Sequence, residues 1–370
     1  MPFLIGSFYF FYFAVIAVHI IFMPKVLSML HYSPSEIGII FASAPLVRFA
    51  IPFLFIRGLQ LNRRVFNGAL ILMAVSAALF FAVLHSFWGL LFANITLGIG
   101  LALILPYIEV IALSHIGKER YGKIRLFGSI GFIAVALVLV KFLSSAEVAV
   151  AYLVAMALFT ALFGYRIVKD EAQTTTSATT PPEPGAFKRV AGHWPLWVGL
   201  ALMQVSFGAF YNFFTIYETD HGISMDMTIY LWSFGVIVEI VMLYFQGPLL
   251  RLNLLFLLQI TTLATAFRWL LVDLFPTNLG ILFFSQSIHA LSFALFHSAA
   301  ISYLFSLYSQ KKLAQQFFAG IAYGMGGFIG AVGAGYIYEY WPTQLFMWAA
   351  AVAFAAFISL RYSRVIEKSA

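Results

Sequence analysis

The sequence predicts an all-α membrane protein of twelve transmembrane helices in two six-helix halves, and three observations carry that expectation. Hydrophobic residues make up 62% of the chain and charged residues only 9%, with a mean hydropathy of +0.95. Too few polar residues remain to cover a water-facing surface of this size. Twelve apolar stretches alternate with short polar gaps, and 17 of the 21 Lys and Arg residues fall in alternate gaps. Finally, one long Thr- and Pro-rich interruption at 169–193 divides the stretches six and six.

About 20 apolar residues cross a bilayer as a helix. The spans expected on that basis are 5–29, 36–57, 65–85, 88–113, 124–143, 147–168, 195–217, 227–250, 252–275, 278–306, 313–338 and 343–363. The first is too long for a signal-peptide core and has no basic region ahead of it, so it reads as a retained span. Domains are then an N-terminal bundle over 1–168, a cytoplasmic linker over 169–193 and a C-terminal bundle over 194–370.

The charge pattern orients these elements. Basic gaps hold Arg57, Arg63 and Arg64; Lys118, Arg120, Lys123 and Arg125; Arg166, Lys169, Lys188 and Arg189; Arg251; Lys311 and Lys312; and Arg361, Arg364 and Lys368. The other gaps carry Glu36, Glu147, Glu218, Asp220, Asp226, Asp273 and Glu339, with Lys141 the one clear cation. Because basic loops stay in the cytoplasm, both termini are expected inside. That topology accounts for the basic pI of about 9.5 without nucleic acid. With no cysteine, disulfides and thiolate metal sites are excluded, and neither a metal nor a cofactor is expected.

The halves echo one another. Ser33-Pro-Ser-Glu-Ile-Gly opens span 2 and Ser224-Met-Asp-Met-Thr-Ile opens span 8; in that register Arg48 falls opposite Glu239. Gly131-Phe-Ile-Ala-Val in span 5 likewise resembles Gly327-Phe-Ile-Gly-Ala-Val in span 11.

Ionisable residues inside spans carry the functional reading, because a charge in hydrocarbon needs a partner or a water-filled cavity. They are Arg48, Glu109, Glu239, Arg268, His289 and His297, with Arg125 about one turn inside span 5. Bland alternatives stay open: Arg48 and Glu239 as a structural ion pair, or Arg268 reaching the interface near Asp273. Gln204 and Asn212 in span 7 are further candidates for solute contact, since a mid-membrane amide must find a hydrogen-bond partner. The pairs Gly320/Gly324 and Gly326/Gly330, with Gly98 and Gly100, read as faces for close helix packing. Aromatic clusters at Phe8 to Phe13 and Phe207 to Tyr217 fit packing or lipid contact, with an aromatic-solute site as the alternative.

Tyr121-Gly-Lys-Ile-Arg-Leu-Phe-Gly-Ser-Ile-Gly-Phe132, Leu46-Val-Arg-Phe49, Tyr230 through Glu239, Phe267-Arg-Trp269 and Ile288-His289 through Ala300 resemble the 3-phenylpropionate permease branch of the major facilitator superfamily, related to lactose permease. That resemblance implies the major facilitator fold in a bacterial inner membrane, working as a monomer without a cofactor. It matches Glu109 and Arg125 to the solute-binding charge pair of helices 4 and 5, and Arg268 and His289 to the coupling set of helices 9 and 10. Ser292 stands where lactose permease relatives place a protonatable carboxylate, so Glu239 is the expected proton carrier. The loop from Arg57 to Arg64 keeps the basic pair of the gating motif and lacks its aspartate.

The functional expectation is secondary active transport: proton-coupled uptake of a small aromatic carboxylate by alternating access between the halves. Arg48, Glu109, Arg125, Gln204 and Asn212 are assigned to solute binding, and Glu239, Arg268 and His289 to proton coupling. A symporter of a neutral sugar or nucleoside is the alternative. An intramembrane enzyme is disfavoured because the acids are scattered and no HExxH motif occurs. A sensor is disfavoured by the short termini.

Overall fold

Helices start where polar side chains take up the first free backbone N–H groups. In the computed structural model, which describes residues 1–56, 60–116, 118–169 and 192–369, Asn62, Ser224, Asn253 and Asn278 each accept a backbone N–H two or three residues on. Ser33 and Glu36 form a reciprocal pair, Ser33 N–H donating to Glu36 Oε2 at 2.8 Å and Glu36 N–H to Ser33 Oγ at 3.3 Å. The two polar turns of the sequence echo, at Ser33 and Ser224, are therefore both helix caps.

The resulting helices are α1 (Pro2–Met29), α2 (Pro34–Ile56), α3 (Arg63–Val83), α4 (Phe87–Ile116), α5 (Lys118–Phe142), α6 (Ala146–Lys169), α7 (Trp194–Asp220), α8 (Met225–Phe245), α9 (Leu254–Leu274), α10 (Leu279–Leu307), α11 (Leu313–Tyr340) and α12 (Leu345–Ser369). Among the described residues, twelve helices are long and apolar enough to cross a membrane. The chain divides into two compact units, Met1–Ala178 and Thr179–Ala370. Most of the expected linker, with Arg57, Lys188 and Arg189, lies outside the described residues, as do the side chains of Lys118, Arg120, Lys312, Arg364 and Lys368.

Two boundaries differ from expectation in ways that matter. α5 begins at Lys118, so Arg125 lies two turns into the helix instead of one. α7 continues to Asp220, so Glu218, assigned from sequence to a polar gap, is helical and buried. α7 then stops at Gly222, whose φ of +86° lets Ile223 N–H reach back to the Glu218 carbonyl at 3.0 Å.

Among the described residues, three helices carry wider turns. π-helical segments occur at Val18–Phe22 in α1, Ala290–Leu295 in α10 and Phe318–Gly326 in α11. Such segments accumulate at functional sites. Here the first contains His19 and the second begins immediately after His289.

Within each unit the first and fifth helices cross on glycine. A Cβ added at Gly131 of α5 would overlap the Phe10 carbonyl of α1, and one at Gly330 of α11 would lie 2.5 Å from the Val205 carbonyl of α7. Gly326 meets the Ala201 carbonyl of α7 in the same way, while Gly98 and Gly100 of α4 meet Ala44 of α2 and Met73 of α3. Gly333, three residues beyond Gly330, has nothing within 4 Å. Gly333→Ala should therefore gain up to about 1 kcal/mol from helix propensity, whereas Gly330→Ala should lose about 1–3 kcal/mol by overpacking. Thermal midpoints of the two variants in detergent make the check; equal midpoints would show that the crossing sets no spacing.

Candidate functional site

In the N-terminal unit the site grows from one face of α5. Tyr121 and Arg125 are four residues apart and so lie one above the other, facing Glu109 of α4. Pro106 interrupts the backbone ladder of α4 one turn before Glu109. Tyr121 donates its hydroxyl to Glu109 Oε1 at 3.3 Å, and Arg125 Nε lies 3.9 Å from the same oxygen. Both charged side chains are about one-third exposed, 31% for Arg125 and 37% for Glu109, so the pair is a loose one. The Arg125 guanidinium packs on aromatic faces of α1, its Cζ 4.0 Å from the Phe13 centroid and 5.2 Å from that of Tyr9. Gly128 makes this possible: a Cβ there would meet Phe13 at 2.7 Å and Arg125 Nη1 at 3.0 Å. The result is a partly open arginine bounded by two rings and a carboxylate.

Arg48 of α2 is exposed, and no hydrogen bond or ion pair is seen for it among the described residues. Nearer the opposite end of this unit, His19 contacts Asn94 Oδ1, while Asn94 Nδ2 donates to the Ile40 carbonyl at 2.7 Å and to Ser43 Oγ at 3.0 Å. This buried network ties α1, α2 and α4 together. Sequence reasoning missed it, although a histidine and an asparagine in mid-span were the available signal.

In the C-terminal unit, Arg268 of α9 is fully buried and bonded on three sides. Nη1 donates to His289 Nδ1 at 2.9 Å and to Ser292 Oγ at 3.2 Å, and Nη2 donates to Gln286 Oε1 at 2.9 Å. Guanidinium can only donate, so His289 Nδ1 must accept and its ring proton sits on Nε2. That nitrogen faces Glu239 Oε2 of α8 at 3.6 Å. A neutral imidazole thus bridges an arginine and a carboxylate. Phe210 of α7 lies against the arginine, its centroid 4.5 Å from Cζ, and Phe293 stacks on His289 at 5.4 Å. Arg268 Nε and Gln286 Nε2 have no partner among the described residues, so the buried chain keeps unused donors.

One alternative is corrected by this geometry. Arg268 does not reach the interface near Asp273, because its side chain is fully buried with Nη1 and Nη2 bonded to His289, Ser292 and Gln286. Within its own unit Glu239 has His289 beside it. Gln286 and Ser292 were missed as site residues, though each stands three residues from His289 and hence on its face of α10. Gln204 is buried at the glycine crossing, its Cβ 3.1 Å from where a Gly326 Cβ would be. Asn212 Nδ2 donates back to the Gly208 carbonyl at 2.8 Å. No hydrogen bond joins either amide to Arg268, His289 or Glu239 among the described residues. His297 instead meets α11, Nδ1 lying 2.7 Å from the Tyr323 hydroxyl.

Residues 4–349 match the MFS_1 like family. The chain belongs to that family. A relative from Escherichia coli (strain K12), the probable 3-phenylpropionic acid transporter, is 25% identical over 373 residues, covering 94% of each chain. The crystal structure of the nucleoside transporter NupG superposes with a TM-score of 0.80 at 16% identity, covering 98% of both chains. A bacterial homologue of the lysosomal transporter Spinster gives 0.71 at 12%, covering 99% of this chain and 96% of its own. At such identities the structural likenesses show the fold alone, and that fold is the major facilitator one. The MFS_1 like family protein is accordingly a multi-pass membrane transporter of small molecules and not an enzyme.

Proposed function

We infer that the protein is a proton-coupled importer of a small aromatic carboxylate, working by alternating access as a monomer in a bacterial inner membrane with both termini in the cytoplasm. Its domains are the two six-helix bundles joined by the 169–193 linker. The observation that carries the solute assignment is the Arg125 guanidinium lying over Phe13 and Tyr9 beside a loosely held Glu109. Guanidinium binds a carboxylate through two parallel hydrogen bonds, and flanking rings offer offset stacking to an aromatic solute. Arg48, exposed in α2, is a second cation for an anionic group, and Gln204 and Asn212 remain secondary candidates. The similarity to a probable 3-phenylpropionic acid transporter supports this solute class.

Proton coupling is assigned to Glu239 with His289 and Arg268. Among the described residues Glu239 is the carboxylate seen against the buried chain, its Oε2 3.6 Å from His289 Nε2, so a shift of His289 relative to α8 would change the setting in which Glu239 exchanges its proton. Uptake into proteoliposomes with an imposed pH gradient, inside alkaline, tests both assignments. Aromatic acids should accumulate at least about tenfold over sugars and nucleosides, a difference of about 1.4 kcal/mol in recognition. Accumulation of nucleosides or sugars instead would transfer the site to hydroxyl recognition by Glu109.

A further inference from the structure

Glu218, in the last turn of α7, has no exposed surface, and neither of its carboxylate oxygens has a hydrogen-bond partner among the described residues. An ionised carboxylate in such a place, without donor or cation, loses its hydration and recovers nothing. No ion pair to Glu218 is seen among the described residues. The C-terminal unit has no Lys or Arg over 194–250, 269–310 or 313–360, and Arg268 is committed to His289, Gln286 and Ser292.

The titratable groups at this end of the unit add negative charge. α7 and the turn after it bring Tyr217, Asp220 and His221; α8 brings Asp226, α9 Asp273, and α11 Tyr338 and Glu339. Asp220 accepts the Tyr338 hydroxyl at 2.7 Å, and Asp273 accepts Met347 N–H of α12 at 2.8 Å. His221 is the lone base among them, with Nδ1 2.8 Å from the Tyr217 carbonyl of its own helix.

We propose that Glu218 is a proton-binding site at the end of α7 opposite the basic loops, distinct from Glu239, and that it holds its proton in the conformation seen here. Helical spacing puts Phe214 and Thr215 on its face. Thr215 Oγ1 accepts Trp232 Nε1 of α8 at 3.1 Å, and the Trp232 ring lies 4.2 Å from Phe210, which in turn lies 5.6 Å from His289. Trp232 precedes Glu239 by seven residues on α8, about 10 Å along the axis. An aromatic layer of Phe210, Phe214 and Trp232 therefore stands between the two acids. In transport, Glu218 serves as the outer proton stop, loading while that end of α7 is hydrated and retaining the proton once it is sealed. This role rests on the proton-coupling reading; the proton site itself does not.

Infrared difference spectroscopy of the full-length protein in nanodiscs near neutral pH tests the site directly. The C=O band of a protonated carboxyl should appear in wild type and Glu239→Gln, vanish in Glu218→Gln and shift in Glu218→Asp, which keeps an acid. A band unchanged in Glu218→Gln, or loss of an ionised-carboxylate band instead, would overturn the proposal. In proteoliposomes Glu218→Gln should slow gradient-driven uptake by about tenfold with solute counterflow retained. Loss of the band with unchanged gradient-driven uptake would overturn the transport role alone. Wild type that ignores the pH gradient would overturn the coupling reading while the spectroscopic result stands.

Discussion

Replacing Glu239 by Gln should collapse proton-driven accumulation to simple equilibration, while solute binding stays within about threefold of wild type. The amide keeps the size of the side chain and an oxygen facing His289 Nε2, 3.6 Å away in the acid, so the contacts of His289 with Arg268 are left in place. Only the capacity to take up a proton is removed. The check is the ratio of internal to external solute at steady state under an inward proton gradient, alongside counterflow without a gradient. Unchanged accumulation would take Glu239 out of the coupling step and leave Glu109 and His289 as the remaining candidates.

Arg125→Gln should weaken binding of an aromatic carboxylate by about 2–3 kcal/mol, since charge-assisted hydrogen bonds and the contact with Phe13 vanish together. Arg125→Lys keeps the charge but loses the planar fork, and a severalfold loss is expected. Affinities measured in detergent and normalised to folded protein separate these outcomes. The same two substitutions at Arg48 rank the two cations. If neither arginine matters and Glu109→Gln does, the solute is a neutral polyhydroxylated molecule.

What the sequence revealed and what it hid follow from the range of the forces involved. Span count was legible because each span satisfies its own backbone and shows its apolarity residue by residue. Glu109 with Arg125, and Arg268 with His289, were reachable only by resemblance, since nothing local says which charged spans face one another. Glu218 was misplaced for a local reason: a carboxylate two residues from Asp220 reads as loop, and its burial depends on α7 running through Asp220 and on the packing around it. The π segments were invisible because one additional residue in a turn leaves no compositional trace. Gln286 was passed over, and Ser292 noticed only as a missing carboxylate, because an uncharged polar residue in a long helix gains significance only once Arg268 is known to point at it.

The crossing of α1 and α5 has a consequence for how such a transporter changes its cargo. At Phe10 and Gly131 the spacing is set main chain against main chain, within two turns of the Phe13 and Arg125 that bound the proposed solute site. The scaffold's geometry is thus decoupled from the identity of the rings lining that site. Substitution at positions 9 and 13 can reshape the recess without prying the helices apart, so new specificities are open to this lineage one side chain at a time.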